Sequence, residues 1–216
     1  MKDPVIKRAA VVMVLAAGMA LGGCAVGNKH AYTGATPDLA VSGKRVAIVA
    51  VRDARPYVMS GNKTPDFVGL SRGGFGNPFD ILTESGNPLA VDFGTTIAAA
   101  LRAKGFKTTV LEGSVPDSPE GIAAAVKKAG AERMAIVILV EWKSDTYMST
   151  DLIYDLALRL YDDAGKQLGA TRLTGRDNLG GDAVNPPGHA KTAVPAAYRR
   201  ILEQLFSAPP IVNSLK

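Results

Sequence analysis

The sequence predicts one α/β domain of α+β-like character: a single mixed β-sheet with about three helices packed on it, in the order β-α-β-α-β-β-β-α. Three observations carry this prediction. Apolar runs rich in β-branched residues alternate with helical stripes between residues 44 and 142. A strict two-residue alternation then spans 151–162. An Asp-Asp-Ala-Gly turn at 162–165 sends the chain back along itself. Strands separated by helices give parallel neighbours and a closing hairpin adds antiparallel ones, so the sheet is mixed.

Residues 1–23 precede that domain. Lys2, Lys7 and Arg8, with Asp3, make a basic start, and Ala9–Leu21 is an apolar run of 13 residues. That length fits a signal h-region and falls short of a bilayer core of about 30 Å. Small residues lead to Cys24, the only cysteine of the chain. Leu21-Gly22-Gly23-Cys24 after such a run is the layout of a bacterial lipoprotein signal, cleaved before Cys24. The thiol then takes a diacylglycerol and the freed amine a further acyl chain. Each buried methylene contributes about 0.8 kcal/mol, and a single chain holds a protein only reversibly, so several chains make the anchor stable. No cofactor is expected beyond these chains.

Cleavage after residue 23 of 216 leaves 193 residues, enough for the core of one domain. The cleaved piece removes three of 25 Lys and Arg and one of 20 Asp and Glu, so the net charge falls from +5 to +3. No basic stripe marks a nucleic-acid partner. With its one thiol acylated, the monomer has no disulfide, and the domain must hold together by its core.

Residues 24–42 are small, polar and without period, which predicts a flexible tether. Its stretch Ala25–Ala40 would span about 20–24 Å root-mean-square. His30 within it is expected to be solvated.

Residues 43–216 form the domain. Val46-Ala47-Ile48-Val49-Ala50-Val51 predicts a buried strand that Pro56 stops. Residues 57–88 hold six glycines and three prolines and predict one long loop. Its aromatic residues would pack on the domain or on a partner. Leu89, Phe93, Ile97 and Leu101 make one helical stripe, closed by Gly105. Phe106–Leu111 is a short strand. Ser118-Pro119-Glu120 starts a second helix, with a capping serine, a proline at the first position and an acid in the first turn. Met134–Trp142 is a central strand. Leu152, Tyr154, Leu156, Leu158 and Leu160 share one face of the next strand, and 166–176 returns beside it. Residues 178–191 predict a second loop. Val194, Ala197, Tyr198, Ile201 and Leu205 then stripe a last helix, ended by Pro209-Pro210.

Few motifs point to chemistry. Gly69-Leu70-Ser71-Arg72-Gly73 matches the G-x-S-x-G elbow of serine hydrolases. Such an enzyme would use Ser71 with His189 as base and Asp151 or Asp177 behind it. However, Gly74-Phe75-Gly76-Asn77-Pro78 cannot start the helix that an elbow needs, so a chance match in a glycine-rich segment is the stronger reading. Gly73-Gly74-Phe75-Gly76 lacks the dinucleotide spacing, and Gly61-Asn62-Lys63-Thr64 lacks the Gly-Lys pair of a P-loop. Two distant histidines and scattered acids predict no metal site. Asp53 and Arg55 read first as a structural pair, with Arg55 tying the loop to the sheet end. Trp142 reads equally as an interface anchor and as core.

The Leu21–Cys24 lipobox and the strand end Val51-Arg52-Asp53-Ala54-Arg55-Pro56 resemble the YajG-type family of small Gram-negative lipoproteins, which carry a similar Asp-x-Arg-Pro after the first strand. The Lys104-Gly105-Phe106 join and the Asp-rich hairpin fit the same outline. More loosely, the order of elements is similar to periplasmic lipoprotein domains that assist envelope assembly, and to the amino-terminal domain of TolB. The glycine-rich 57–88 segment departs from the family's compact pattern. The resemblance brings no catalytic residues. In such lipoproteins an Asp after the cysteine favours inner-membrane retention, so Ala25 implies the outer membrane.

These readings converge on a non-enzymatic, lipid-anchored module on the periplasmic face of the outer membrane. The membrane is its partner through Cys24, and an envelope protein is the partner expected at 57–88. Arg55, Tyr57, Phe67, Arg72, Phe75 and Phe79 are the expected contacts, because arginine and aromatic side chains are enriched in interfaces. Peptidoglycan or another glycan on the same aromatics is the first alternative, and a Ser71 hydrolase the second.

Overall fold

The computed structural model describes residues 28–111 and 113–215. The signal segment 1–23, Cys24 and the first residues of the tether lie outside the described residues.

The sheet is organised around β6 (Arg133–Thr146), where the apolar 134–142 run continues into an alternating tail. One edge of β6 pairs with antiparallel β7 (Ser149–Asp162), from Arg133 opposite Asp162 to Thr146 opposite Thr150. Beyond β7 lies antiparallel β8 (Gln167–Gly181), which has no further strand neighbour among the described residues. Two parallel strands share the other edge of β6. β2 (Val46–Asp53) runs beside 133–139, and β3 (Phe67–Arg72) runs beside 144–146. β5 (Lys107–Val110) lies parallel outside β2, and β4 (Pro78–Thr83) lies antiparallel outside β3. The two-residue β1 (Lys29–His30) runs parallel to β4.

The three predicted helices are α2 (Leu89–Ala103), α3 (Pro119–Lys128) and α4 (Pro186–Ser207); α1 (Pro56–Met59) and α5 (Pro209–Leu215) are short additions. Alternation across the pleat divides the core. Val49, Val137, Leu139 and the Leu152–Leu160 series meet Phe93 and Ile97 of α2 and Tyr198 and Ile201 of α4. Ile48, Ala50, Met134 and Ile136 point the other way, onto Ile122 and Val126 of α3. The Ser118 hydroxyl accepts the Gly121 N–H at 3.1 Å, capping α3 where the sequence places its start. No helix among the described residues is long and apolar enough to cross a membrane.

Three expectations are corrected. Residues 57–88 are not a loop: they carry α1 and the β3–β4 hairpin before α2 begins. The sequence hid β3 because Gly69 interrupts it. A Cβ at Gly69 would sit 2.0 Å from Ser144 Oγ, so only glycine lets β3 approach β6. From Asn28 onward, residues 24–42 are not a free tether. Tyr32, Leu39 and Val41 are buried in the main core, and His30 is 1% exposed. Residues 178–191 are likewise not a loop, because β8 runs to Gly181 and α4 starts at Pro186.

Candidate functional site

The Asp53-x-Arg55-Pro56 sequence forms a closed clamp. Arg55 is fully buried. Its Nε and Nη2 donate to the two Asp53 carboxylate oxygens at 2.8 and 2.6 Å. Nη1 donates to the Phe67 carbonyl at 2.5 Å and Nη2 to that of Pro65 at 3.0 Å. One side chain therefore ties the end of β2 to the start of β3. Tyr57 lies against Phe67 edge-to-face, with centroids 5.4 Å apart. Its hydroxyl is 2.6 Å from Glu141 Oε1 and 2.9 Å from the Trp142 carbonyl. Burial first, and the Glu141 carboxylate second, push the phenol up.

The six expected contact residues therefore separate. Arg55 and Phe67 are interior and offer a partner no surface. Tyr57 and Phe79 are half-buried, while Arg72 and Phe75 are exposed. Trp142 is core: it packs among Tyr32, Phe93, Tyr154 and Tyr198, and its Nε1–H donates to the Tyr32 hydroxyl at 3.0 Å.

Strand register gathers Arg72 and Phe75 with residues that sequence reasoning missed. Ser71 opposite Thr146 sets the β3–β4 turn beside the β6–β7 turn. Ser149 opposite Gly181 brings the β8–α4 connection to the same end. Gly181 is needed there, since a Cβ would lie 2.1 Å from the Met148 carbonyl. The three turns enclose a groove of about 590 Å³, whose lining includes Arg72, Tyr147, Met148, Val184 and Lys191. Arg72 forks onto Asp145 at 2.7 and 2.6 Å and pins the hairpin tip to β6. The available signal was two large apolar residues, Tyr147 and Met148, in a segment with turn character.

The hydrolase arrangement is not assembled. Ser71 is buried within β3, which turns into β4 and not into a helix. His189 Nε2 lies 3.0 Å from the Leu179 carbonyl.

His30 is the unexpected titratable group. Its Nε2 is 3.1 Å from Ser144 Oγ, and its Nδ1 has no partner among the described residues. Burial, with the Lys191 charge adding to it, lowers its pKa from 6.5 to about 4. The unfolded chain therefore binds a proton below pH 6.5 that the folded chain refuses until about pH 4. Stability from this group is full above that window and falls by about 3 kcal/mol across it as the pH drops. Urea midpoints measured from pH 7 down to pH 4 should show the loss, and His30→Gln should flatten that part of the curve.

The fold and groove define a class: a mixed α/β domain with helices on both sheet faces and a concave end formed by three turns. No protein-family model and no curated protein matches the chain. Among solved structures, protein XCC0632 from Xanthomonas campestris aligns with a TM-score of 0.48 at 11% identity, over 86% of this chain and 96% of that one. The PelC dodecamer of Paraburkholderia phytofirmans gives 0.41 at 15% identity, over 79% and 93%. Lipoprotein GNA1162 from Neisseria meningitidis gives 0.30 at 14% identity, over 73% and 96%. At these scores the likeness says nothing about role.

Proposed function

We propose that the chain is a lipid-anchored protein of the outer membrane's periplasmic face that binds another envelope protein along the free edge of β8. The anchor rests on the Leu21-Gly22-Gly23-Cys24 signature. The observation that carries the binding role is the β8 edge itself. Twelve of its fifteen residues, along about 50 Å of strand, pair with β7 on one side, and no strand lies on the other among the described residues. The other outer strands, β1 and β5, are two and four residues long. A long open edge takes an extended segment of a partner through main-chain hydrogen bonds.

Charge makes such an edge selective. On its outward face Arg172 forks onto Asp155 and Arg176 onto Asp151. These arginines hold both carboxyls below the usual carboxylate range. A row of fixed charges deters indiscriminate strand pairing and reads the charge of the incoming chain.

Two measurements test this reading. Cys24→Ser should abolish acylation and move the protein from the membrane pellet to the soluble fraction; continued retention would refute the anchor. A photo-crosslinker placed at Thr174 or Asn178 in intact cells should give one discrete protein adduct, and one at Asp163 should give none. If the β8 positions capture no protein and purified peptidoglycan retains the domain, the glycan reading replaces this one.

A further inference from the structure

We infer that the end of the domain formed by the β3–β4, β6–β7 and β8–α4 turns seats on the phospholipid surface that holds the anchor, with Phe75, Tyr147, Met148 and Val184 entering the interface. This rests on the anchor reading above.

Chain length is the first support. Asn28 lines the groove at this end, and Cys24 precedes it by four residues. Four residues reach at most about 14 Å whatever path they take. An acylated Cys24 therefore keeps this end within that distance of the bilayer. The far end, at the β7–β8 turn, is separated from it by the 14 residues of β7, about 46 Å.

The distribution of apolar surface is the second. Of the seven exposed large apolar side chains among the described residues, four belong to these turns. The others, Met59, Val91 and Leu168, lie singly on α1, α2 and β8. Isolated exposed apolar residues are ordinary, but a group of them at one end marks an interaction surface. Phe75 and Val184 are 103% and 94% exposed, so nothing in the fold covers them.

Rigidity and charge agree. The Arg72–Asp145 fork fixes one turn. Asp182 fixes another, its Oδ1 accepting the Val184 and Asn185 N–H groups at 2.8 and 3.1 Å. The apolar tips thus stand on stiff supports. Exposed Lys191 lines the groove at this end and offers a cation to anionic headgroups, while Asp182 is engaged with the backbone of its own turn. Tyr147 has the amphipathic ring that settles at the headgroup level. Apolar tips beside Lys191 describe a surface that lies in the interface without spanning it.

The test uses the full lipidated chain in vesicles of phosphatidylethanolamine and phosphatidylglycerol. A fluorophore is attached after Phe75→Cys, Val184→Cys or, as control, Asp163→Cys; acylation of Cys24 leaves the new thiol as the reactive one. Lipids with nitroxide-bearing acyl chains should quench the labels at 75 and 184 and leave the label at 163 bright. Adding Val184→Asp and Tyr147→Ser to the Phe75→Cys chain should abolish quenching at 75 while flotation with vesicles persists. Equal quenching at all three positions, or none while the chain still floats, overturns the orientation and leaves the anchor standing. Quenching that survives the added substitutions overturns insertion by these side chains. A wild-type chain that fails to float overturns the anchor and this orientation together. A protein crosslinked from position 75, with its label unquenched, assigns this end to a protein instead.

Discussion

Arg55→Ala is expected to destabilise the domain by about 3–5 kcal/mol, the cost of removing one partner of a buried ion pair. The loss has three parts. The Asp53 carboxylate, 14% exposed, is left without its counter-charge. The Phe67 and Pro65 carbonyls lose their donors in the interior. A void opens where a fully buried guanidinium had been. Arg55→Lys should recover only a fraction, because an ammonium cannot fork onto a carboxylate and reach two carbonyls at once. Urea unfolding checks the series, with the midpoint falling and the slope unchanged. The double substitution Asp53→Asn with Arg55→Met should be less damaging than Arg55→Ala alone, because it leaves no unpaired buried charge. An Arg55→Ala chain as stable as the parent would show that the hairpin is held by packing alone.

That clamp illustrates what was legible in the sequence. Asp53 and Arg55 stand two residues apart at a strand end beside a proline, and local spacing alone implies a structural pair. The eight predicted elements are equally local: each depends on periodicity, a cap or a turn within a dozen residues. The β3–β4 hairpin was not legible, because its central glycine looks like loop chemistry until Ser144 is known to approach it. The groove was missed for the same reason. Its walls come from positions near 73, 147 and 184, and only the registers of β3 on β6 and of β7 on β8 bring them together. His30 makes the point most sharply. Its neighbours in sequence are polar and small, while its neighbours in space, Ser144 and Lys191, are more than a hundred residues away.

Trp142→Ala should cost about 3–5 kcal/mol, as expected for truncating a fully buried tryptophan. Its second consequence is local. Trp142 Nε1–H donates to the Tyr32 hydroxyl, and Tyr32 packs on Trp142, Phe93 and Tyr198 with centroids 5.1–6.3 Å apart. Tyr32 is therefore the staple that holds the segment after Asn28 on the domain. Without it, residues 28–42 would be held only by the β1–β4 pairing, the His30–Ser144 contact and buried Leu39 and Val41, so the segment would open more often and the four-residue limit between anchor and domain would loosen. Trp142→Phe separates the two effects: it retains an aromatic ring and costs about 1–3 kcal/mol, mainly from leaving the Tyr32 hydroxyl unpaired. Hydrogen exchange over 30–41, in conditions where both variants remain folded, should rise strongly for Trp142→Ala and modestly for Trp142→Phe. Unchanged protection in Trp142→Ala would assign the staple to Leu39 and Val41, which are buried in the same core. A rise would make one interior indole the element that sets how closely the domain is held to its membrane.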